Sequence, residues 1–156
     1  VQRTDKRGPL IERLDLSGVD VDALSGKPVL FNHDRAVVVG VIVSAWREGS
    51  SIAARLKLSD ADDVRSHVLK VAEGVIRFTS IAYSVAKTEE AVLEGRRLLT
   101  ISPTILEVSL VAIPADQAAQ IRSEVSMTTP SPTPDNTQPA PVIETRAAVN
   151  AQIRAL

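Results

Sequence analysis

Val75-Ile76-Arg77-Phe78-Thr79-Ser80-Ile81-Ala82-Tyr83-Ser84-Val85 is the stretch on which the reading of this chain turns. In an extended backbone, residues alternate between two faces. Thr79, Ile81, Tyr83 and Val85 then share one side, and Phe78, Ser80, Ala82 and Ser84 the other. Beyond Phe78 the second side carries only small groups, so another strand or a substrate backbone has room to approach the Ser80 hydroxyl. A lone serine is a weak nucleophile and needs a base within hydrogen-bond reach. The chain has two histidines, His33 and His67, and these are the histidine candidates for that base.

The totals limit what surrounds this strand. A chain of 156 residues holds one ordinary domain with a real core, plus a tail. With 18 basic and 19 acidic residues the formal charge is -1, and no Lys/Arg run forms a patch for a phosphate backbone. Aromatic content of 3% leaves no stacking platforms for single-stranded nucleic acid and leaves the core to Val, Ile, Leu and Ala. The partners expected are therefore neither nucleic acid nor membrane, since no apolar run spans a bilayer. Cysteine is absent, which removes disulfides and thiolate metal sites, and no metal or other cofactor is expected. The chain opens on Val1 rather than Met and shows no secretory signal there, as a trimmed or processed product does.

Working outward, the polar Val1 to Pro9 segment reads as an arm or the lead-in to a strand, and Leu10 to Leu16 as an irregular strand. Asp20 to Ser25 suits a single helical turn closed by Gly26. Val29 to Phe31 is a short strand running into Asn32-His33-Asp34, residue types that favour turns. Val37 to Ala45 is a β-branched strand in which Gly40 signals a bulge or a close backbone approach. Glu48 to Ser51 reads as a hairpin loop and Ile52 to Leu58 as its return strand. Ser59 and the acids that follow suit a helix start. Val64, Val68, Val71 and Val75 repeat at helical spacing, and Gly74 supplies a left-handed stop. After a polar loop over Thr88 to Gly95 come two β segments, Arg97 to Ser102 and Thr104 to Ile113, and then a short helix near Asp116 to Arg122. Residues 127–143 are rich in Pro, Ser and Thr and read as a disordered linker. Residues 144–156 regain helical spacing at Val149, Ile153 and Leu156 and read as the start of a further, scaffold- or capsid-like module. The folded domain is thus expected over residues 1–126.

Three β segments each carry one reactive group: His33 after VLFN, Ser80 within RFTSIAYS, and Glu107 within TILEVSLVAIP. A nucleophile, a base and a carboxylate that orients the base are the parts serine acyl transfer requires. Alternation sets Glu107 with Ser109 and Val111 on one face, and Leu106, Val108 and Leu110 on the other. Plainer readings stand beside each. Ser80 suits simple strand packing, His33 ordinary turn polarity, and Glu107 the solvated face of an edge strand. His67 lies off the valine stripe and reads as a surface residue, with a role as third member the rival to Glu107.

The order PVLFNHDR, GVIVSAW, AARLKL, a capped helix, EGVIRFTSIAYSV and ISPTILEVSLVAIPAD resembles the prohead (head maturation) serine proteases of tailed bacteriophages, relatives of the herpesvirus assemblins. The resemblance spans roughly Leu10 to Arg122. It departs from that family's pattern at Ala82, where glycine is common, and at the apolar AVVVG after the histidine turn. It implies an endopeptidase with His33 as general base, Ser80 as nucleophile and Glu107 as third member. Its substrates would be phage scaffold and major capsid proteins, inside an assembling procapsid in the host bacterial cytoplasm, with self-association possible. The fold expected is α+β and mainly β: a barrel-like antiparallel or mixed sheet of herpesvirus-protease type, with a central helix at about 60–73 and the short helix at 116–122. The competing reading is a catalytically inactive, protease-like scaffolding module of the phage head. A small β-barrel ligand-binding domain is a third, which a ligand-sized cavity far from Ser80 and dispersed reactive groups would favour.

Overall fold

The computed structural model describes residues 2–122 and 142–147. Nine strands occur in this part of the chain: β1 (Gln2–Asp5), β2 (Gly8–Leu14), β3 (Pro28–Phe31), β4 (Asp34–Glu48), β5 (Ser51–Leu58), β6 (Phe78–Leu93), β7 (Arg96–Val111), β8 (Gln120–Arg122) and β9 (Val142–Ala147). One α-helix, α1 (Arg65–Ala72), lies between β5 and β6, and a 3-10 turn spans Asp22–Leu24. The protein is thus mostly β with a single described helix.

β7 has partners on both edges. One edge pairs with β6 in an antiparallel hairpin from Leu93↔Arg96 to Phe78↔Val111. The other pairs in parallel first with β2 (Leu10↔Arg97 to Leu14↔Ile101) and then with β3 (Val29↔Val108 to Phe31↔Leu110). Antiparallel pairing continues from β3 to β4, β5, β9 and β8. β8 reaches β6 through the one register pair Phe78↔Gln120. The sheet is therefore mixed, and no continuous ladder closes it into the expected barrel.

The core is one cluster drawn from the sheet and the helical segment. Val29, Val39, Ile42, Leu56, Leu58, Val108 and Leu110 are buried there, together with Val64, Val68 and Val71 of the helical segment. Burying a side chain of this size contributes about 1.5–3 kcal/mol. Ser59 does not cap α1. Its Oγ accepts the Ala61 N–H at 3.2 Å in a preceding turn, and the helix starts at Arg65 with Val64 as its cap residue. Gly74, at φ +72°, ends it as expected, with the Val75 and Ile76 N–H groups on the Lys70 carbonyl. That reversal leaves Val75 at 64% exposure and puts Ile76 in the core in its place.

Five other places depart from the sequence reading. The N-terminal arm is a strand, because Lys6-Arg7 make a turn that returns β1 onto β2. The polar Thr88 to Gly95 stretch is the outer half of the β6–β7 hairpin, turned at Glu94-Gly95 where both residues have positive φ. Pro103, read as a break, sits where the β6–β7 register shifts between Val85 and Lys87, a place where a missing N–H is tolerated. Asp116 caps only a single turn, accepting the Ala118 N–H at 2.9 Å, and the chain then becomes β8 rather than a short helix. At the far end, residues 142–147 are strand, not linker or helix. VIETRA carries β-branched residues at 142, 143 and 145 and finds open edges on both β5 and β8. The remainder of the proline-rich segment and residues 148–156 lie outside the described residues.

The outer end of the sheet is held by charge. Arg97 makes a two-pronged contact with Asp5 at 2.8 and 3.0 Å, and Arg7 meets Glu90 at 2.6 Å. The hydrogen bond from Arg97, followed by that from the Arg7 N–H, lowers the Asp5 carboxyl from 3.8 to about 2. Because the folded value is the depressed one, the contribution is present above pH 3.8 and is lost as pH falls through about 2. Amide exchange of the β1–β2 hairpin is therefore expected to quicken, relative to the core, over that interval. The same acceleration should be absent in Asp5→Asn, which lacks the titrating group. At β4 the expected close approach is real: a Cβ on Gly40 would fall on the Lys57 carbonyl oxygen and 3.1 Å from Leu58 Cα. Gly40→Ala is expected to cost roughly 1–3 kcal/mol, read as a lower urea midpoint at unchanged slope.

Candidate active site

β3 and β4 are joined by a two-residue turn, Asn32-His33, with φ of +51° and +61° and the Phe31↔Asp34 pair closing it. Two left-handed residues make a hairpin turn whose twist matches the strands, and Asn is among the residues that tolerate it. The turn hangs on β7. The Asn32 N–H donates to the Leu110 carbonyl at 3.0 Å, and the His33 N–H donates to Ser109 Oγ at 3.0 Å. His33 thus takes an uncommon backbone conformation and is held in it by the strand that carries Glu107.

Glu107 is not on a solvated edge. Its side chain is 8% exposed, and Oε1 lies 2.7 Å from His33 Nδ1. Oε2 accepts the Ser109 hydroxyl at 2.8 Å. Both carboxylate oxygens therefore have partners, as burial of a charge demands. Because a carboxylate accepts, Nδ1 carries the proton in this pairing and Nε2 is left with its lone pair. The His33 side chain is 41% exposed, so this lone pair belongs to a ring that solvent or a substrate reaches.

A bulge lies next to the carboxylate. Ala82 pairs with Glu107 and Tyr83 with Ile105, so Leu106 has no partner on β6. Alternation on β7 is broken there. Val108 and Leu110 share a face, as alternation has it, and that face is in the core, whereas Leu106 is 42% exposed. Bulges commonly re-aim side chains beside functional sites.

Ser80 enters through register. It is directly opposite Ser109, and directly opposed residues share a face with Cβ atoms about 4.5–5.5 Å apart. Ser80, Ser109, Ala82 and Glu107 therefore lie on one face, next to the His33 turn. Among the described residues no hydrogen bond ties Ser80 Oγ to His33. His67 is neither a surface residue nor a partner of His33. Its ring stacks on Phe31, with centroids 4.2 Å apart, and its Nδ1 is buried without a hydrogen bond. The residue whose contacts the sequence reading missed is Ser109. The signal was available, since Glu-Val-Ser puts a hydroxyl two residues from the carboxylate on the same strand face.

The family model for the Caudovirus prohead serine protease matches residues 17–133. The chain belongs to that family. No curated protein and no solved structure matches it. The match covers the turn bearing His33 and the strands bearing Ser80 and Glu107. A second concavity of about 750 Å³ lies at the opposite end of β7, lined by Arg7, Leu10, Ile11, Arg96 and Arg97. Such a cavity was the sign expected of a ligand-binding barrel, but the accompanying dispersal of reactive groups is not found: His33 and Glu107 are in contact. Among the described residues no group of His, Asp and Glu is arranged to hold a metal ion, and no helix is long and apolar enough to cross a membrane.

The left-handed turn makes a prediction about stability. Asn32→Gly is expected to be nearly neutral, whereas Asn32→Val forces a β-branched residue to φ +51° and should cost roughly 1–2 kcal/mol. Urea denaturation of the two variants compares them directly.

Proposed function

We propose that this prohead protease family member is an active serine endopeptidase of phage head maturation, with Ser80 as nucleophile, His33 as general base and Glu107 as the group that orients His33. The single observation that carries the reading is the 2.7 Å His33–Glu107 contact on the strand that pairs directly with the Ser80 strand. In this scheme Ser80 Oγ attacks the scissile carbonyl while His33 Nε2 takes its proton. Glu107 stabilises the imidazolium that forms, which then protonates the leaving amine. Water hydrolyses the Ser80 ester in a second half-reaction, with His33 again acting as base. Catalytic hydrogen bonds are often loose before substrate binds, so the unmade Ser80–His33 bond is compatible with this chemistry.

The substrates proposed are scaffold and major capsid proteins, cut inside the assembling procapsid in the host cytoplasm. Past Phe78 the edge of β6 away from β7 has no strand partner among the described residues. Such an edge suits an extended polypeptide laid alongside as an added strand. A relationship to herpesvirus assemblins, including a barrel, is supported by the run of pairings from β7 through β3, β4, β5, β9 and β8 to β6. Self-association is part of the same proposal.

Ser80→Ala is expected to lower processing of co-expressed capsid and scaffold proteins by about 10³-fold or more, and unchanged processing overturns the assignment. A labelled serine-directed phosphonate should form its adduct on Ser80. Absence of the adduct, with the chain folded, favours the inactive scaffolding module instead. His33→Gln, which removes the base, is expected to abolish processing as well.

A further inference from the structure

We infer that Ser109 is a positioning residue of the proposed site, locking the His33 main chain and the Glu107 carboxylate into one unit so that the imidazole is delivered in a single tautomer and orientation. The inference rests on the protease reading for its catalytic consequence, but its structural content stands on contacts that involve no substrate. Ser109 Oγ accepts the His33 N–H at 3.0 Å and donates its own proton to Glu107 Oε2 at 2.8 Å, while Glu107 Oε1 meets His33 Nδ1 at 2.7 Å. The contacts form a closed ring: main chain of His33 to Ser109, Ser109 to Glu107, and Glu107 back to the ring of His33.

Each bond in that ring does something the others cannot. A carboxylate gripped at one oxygen swings about its own bonds, whereas one gripped at both oxygens presents Oε1 in a fixed direction. The His33 backbone is at φ +61°, a conformation that persists only when its surroundings over-determine it. The N–H bond to Ser109 is one of the contacts that hold it. Ser109 is fully buried, so water cannot replace the hydroxyl without a rearrangement, and it lies directly opposite Ser80. A shift of the Ser109 hydroxyl is therefore felt by base and carboxylate together, on the face that carries the nucleophile. An alanine at 109 takes from Glu107 Oε2 and from the His33 N–H the partner that Ser109 gives each of them.

The full-length chain is tested by two readouts, phosphonate labelling of Ser80 and proton NMR of the His33 Nδ1–H. The chain has two histidines, so the signal lost in His33→Gln assigns the resonance. In Ser109→Ala, the downfield Nδ1–H resonance should broaden or disappear through faster exchange. The labelling rate constant at saturation should fall roughly 10- to 100-fold, with the half-saturating probe concentration changed less than about twofold. Ser109→Cys, nearly isosteric with a weaker donor, should fall between wild type and Ala in both readouts, and it decides the matter if the alanine variant does not fold. Unchanged resonance and unchanged labelling rate in a folded Ser109 variant overturn the inference. So does a loss confined to half-saturation. If wild type is not labelled at all, the protease reading fails, and the NMR comparison still decides whether Ser109 positions His33.

Discussion

β7 must satisfy backbone hydrogen bonds along both of its edges, and most of what surrounds the candidate site follows from how it does so. A buried strand cannot leave N–H and C=O groups unpaired without a cost of about 1–3 kcal/mol each. β6 fills one edge along its whole length, and β2 and β3 divide the other. Two registers are thereby fixed on one strand. The β6 register sets Ser80 opposite Ser109, and the β3 register ends that strand level with Leu110, so the following turn projects over Ser109 and Glu107. Neither pairing alone brings a histidine, a serine and a carboxylate to one place.

The same strand then departs from regularity where chemistry is proposed to occur. The unpaired Leu106 shifts the phase of the residues before it, and beside it Glu107 is a buried carboxylate among apolar neighbours on its strand. Burial raises what an unsatisfied carboxylate costs, and the polar groups within reach, the His33 ring and the Ser109 hydroxyl, satisfy it. Electrostatics and backbone strain therefore point the same way. The left-handed His33 is tolerated because its N–H and its ring are each bonded to β7. Membership of the prohead protease family fits this economy of parts, in which a short hairpin turn and two neighbouring strands supply every group the proposed mechanism uses.

Local patterning made much of this legible. Asn-His between two apolar runs signals a two-residue turn, and the valine stripe with Gly74 marks α1. Glycine inside a β-branched run at position 40 marks the close passage of β4 over β5. Alternation also put Ser80 on a small-residue face and Glu107 with Ser109. Where the reading failed, pairing outweighed composition. Thr88 to Leu93 is polar enough for a loop, yet it is a strand because β7 lies beside it. The N-terminal segment, open between an arm and the lead-in to a strand, is itself a strand because β2 offers it an edge. Residues 142–147 are a strand because β5 and β8 leave a gap that an extended segment fills.

By itself, then, the sequence determined which residues carry reactive groups, which face each shares along its own strand, and where the chain turns, because those depend on neighbours a few positions away. Only the tertiary structure decided that Glu107 meets His33 rather than water, that His67 stacks on Phe31, and that Ser109 joins the Glu107 carboxylate to the His33 main chain. Those contacts link positions on different strands, and their geometry comes from register and from one bulged residue. A period-two pattern is blind to both, since shifting a strand by a single residue turns every side chain to the opposite face.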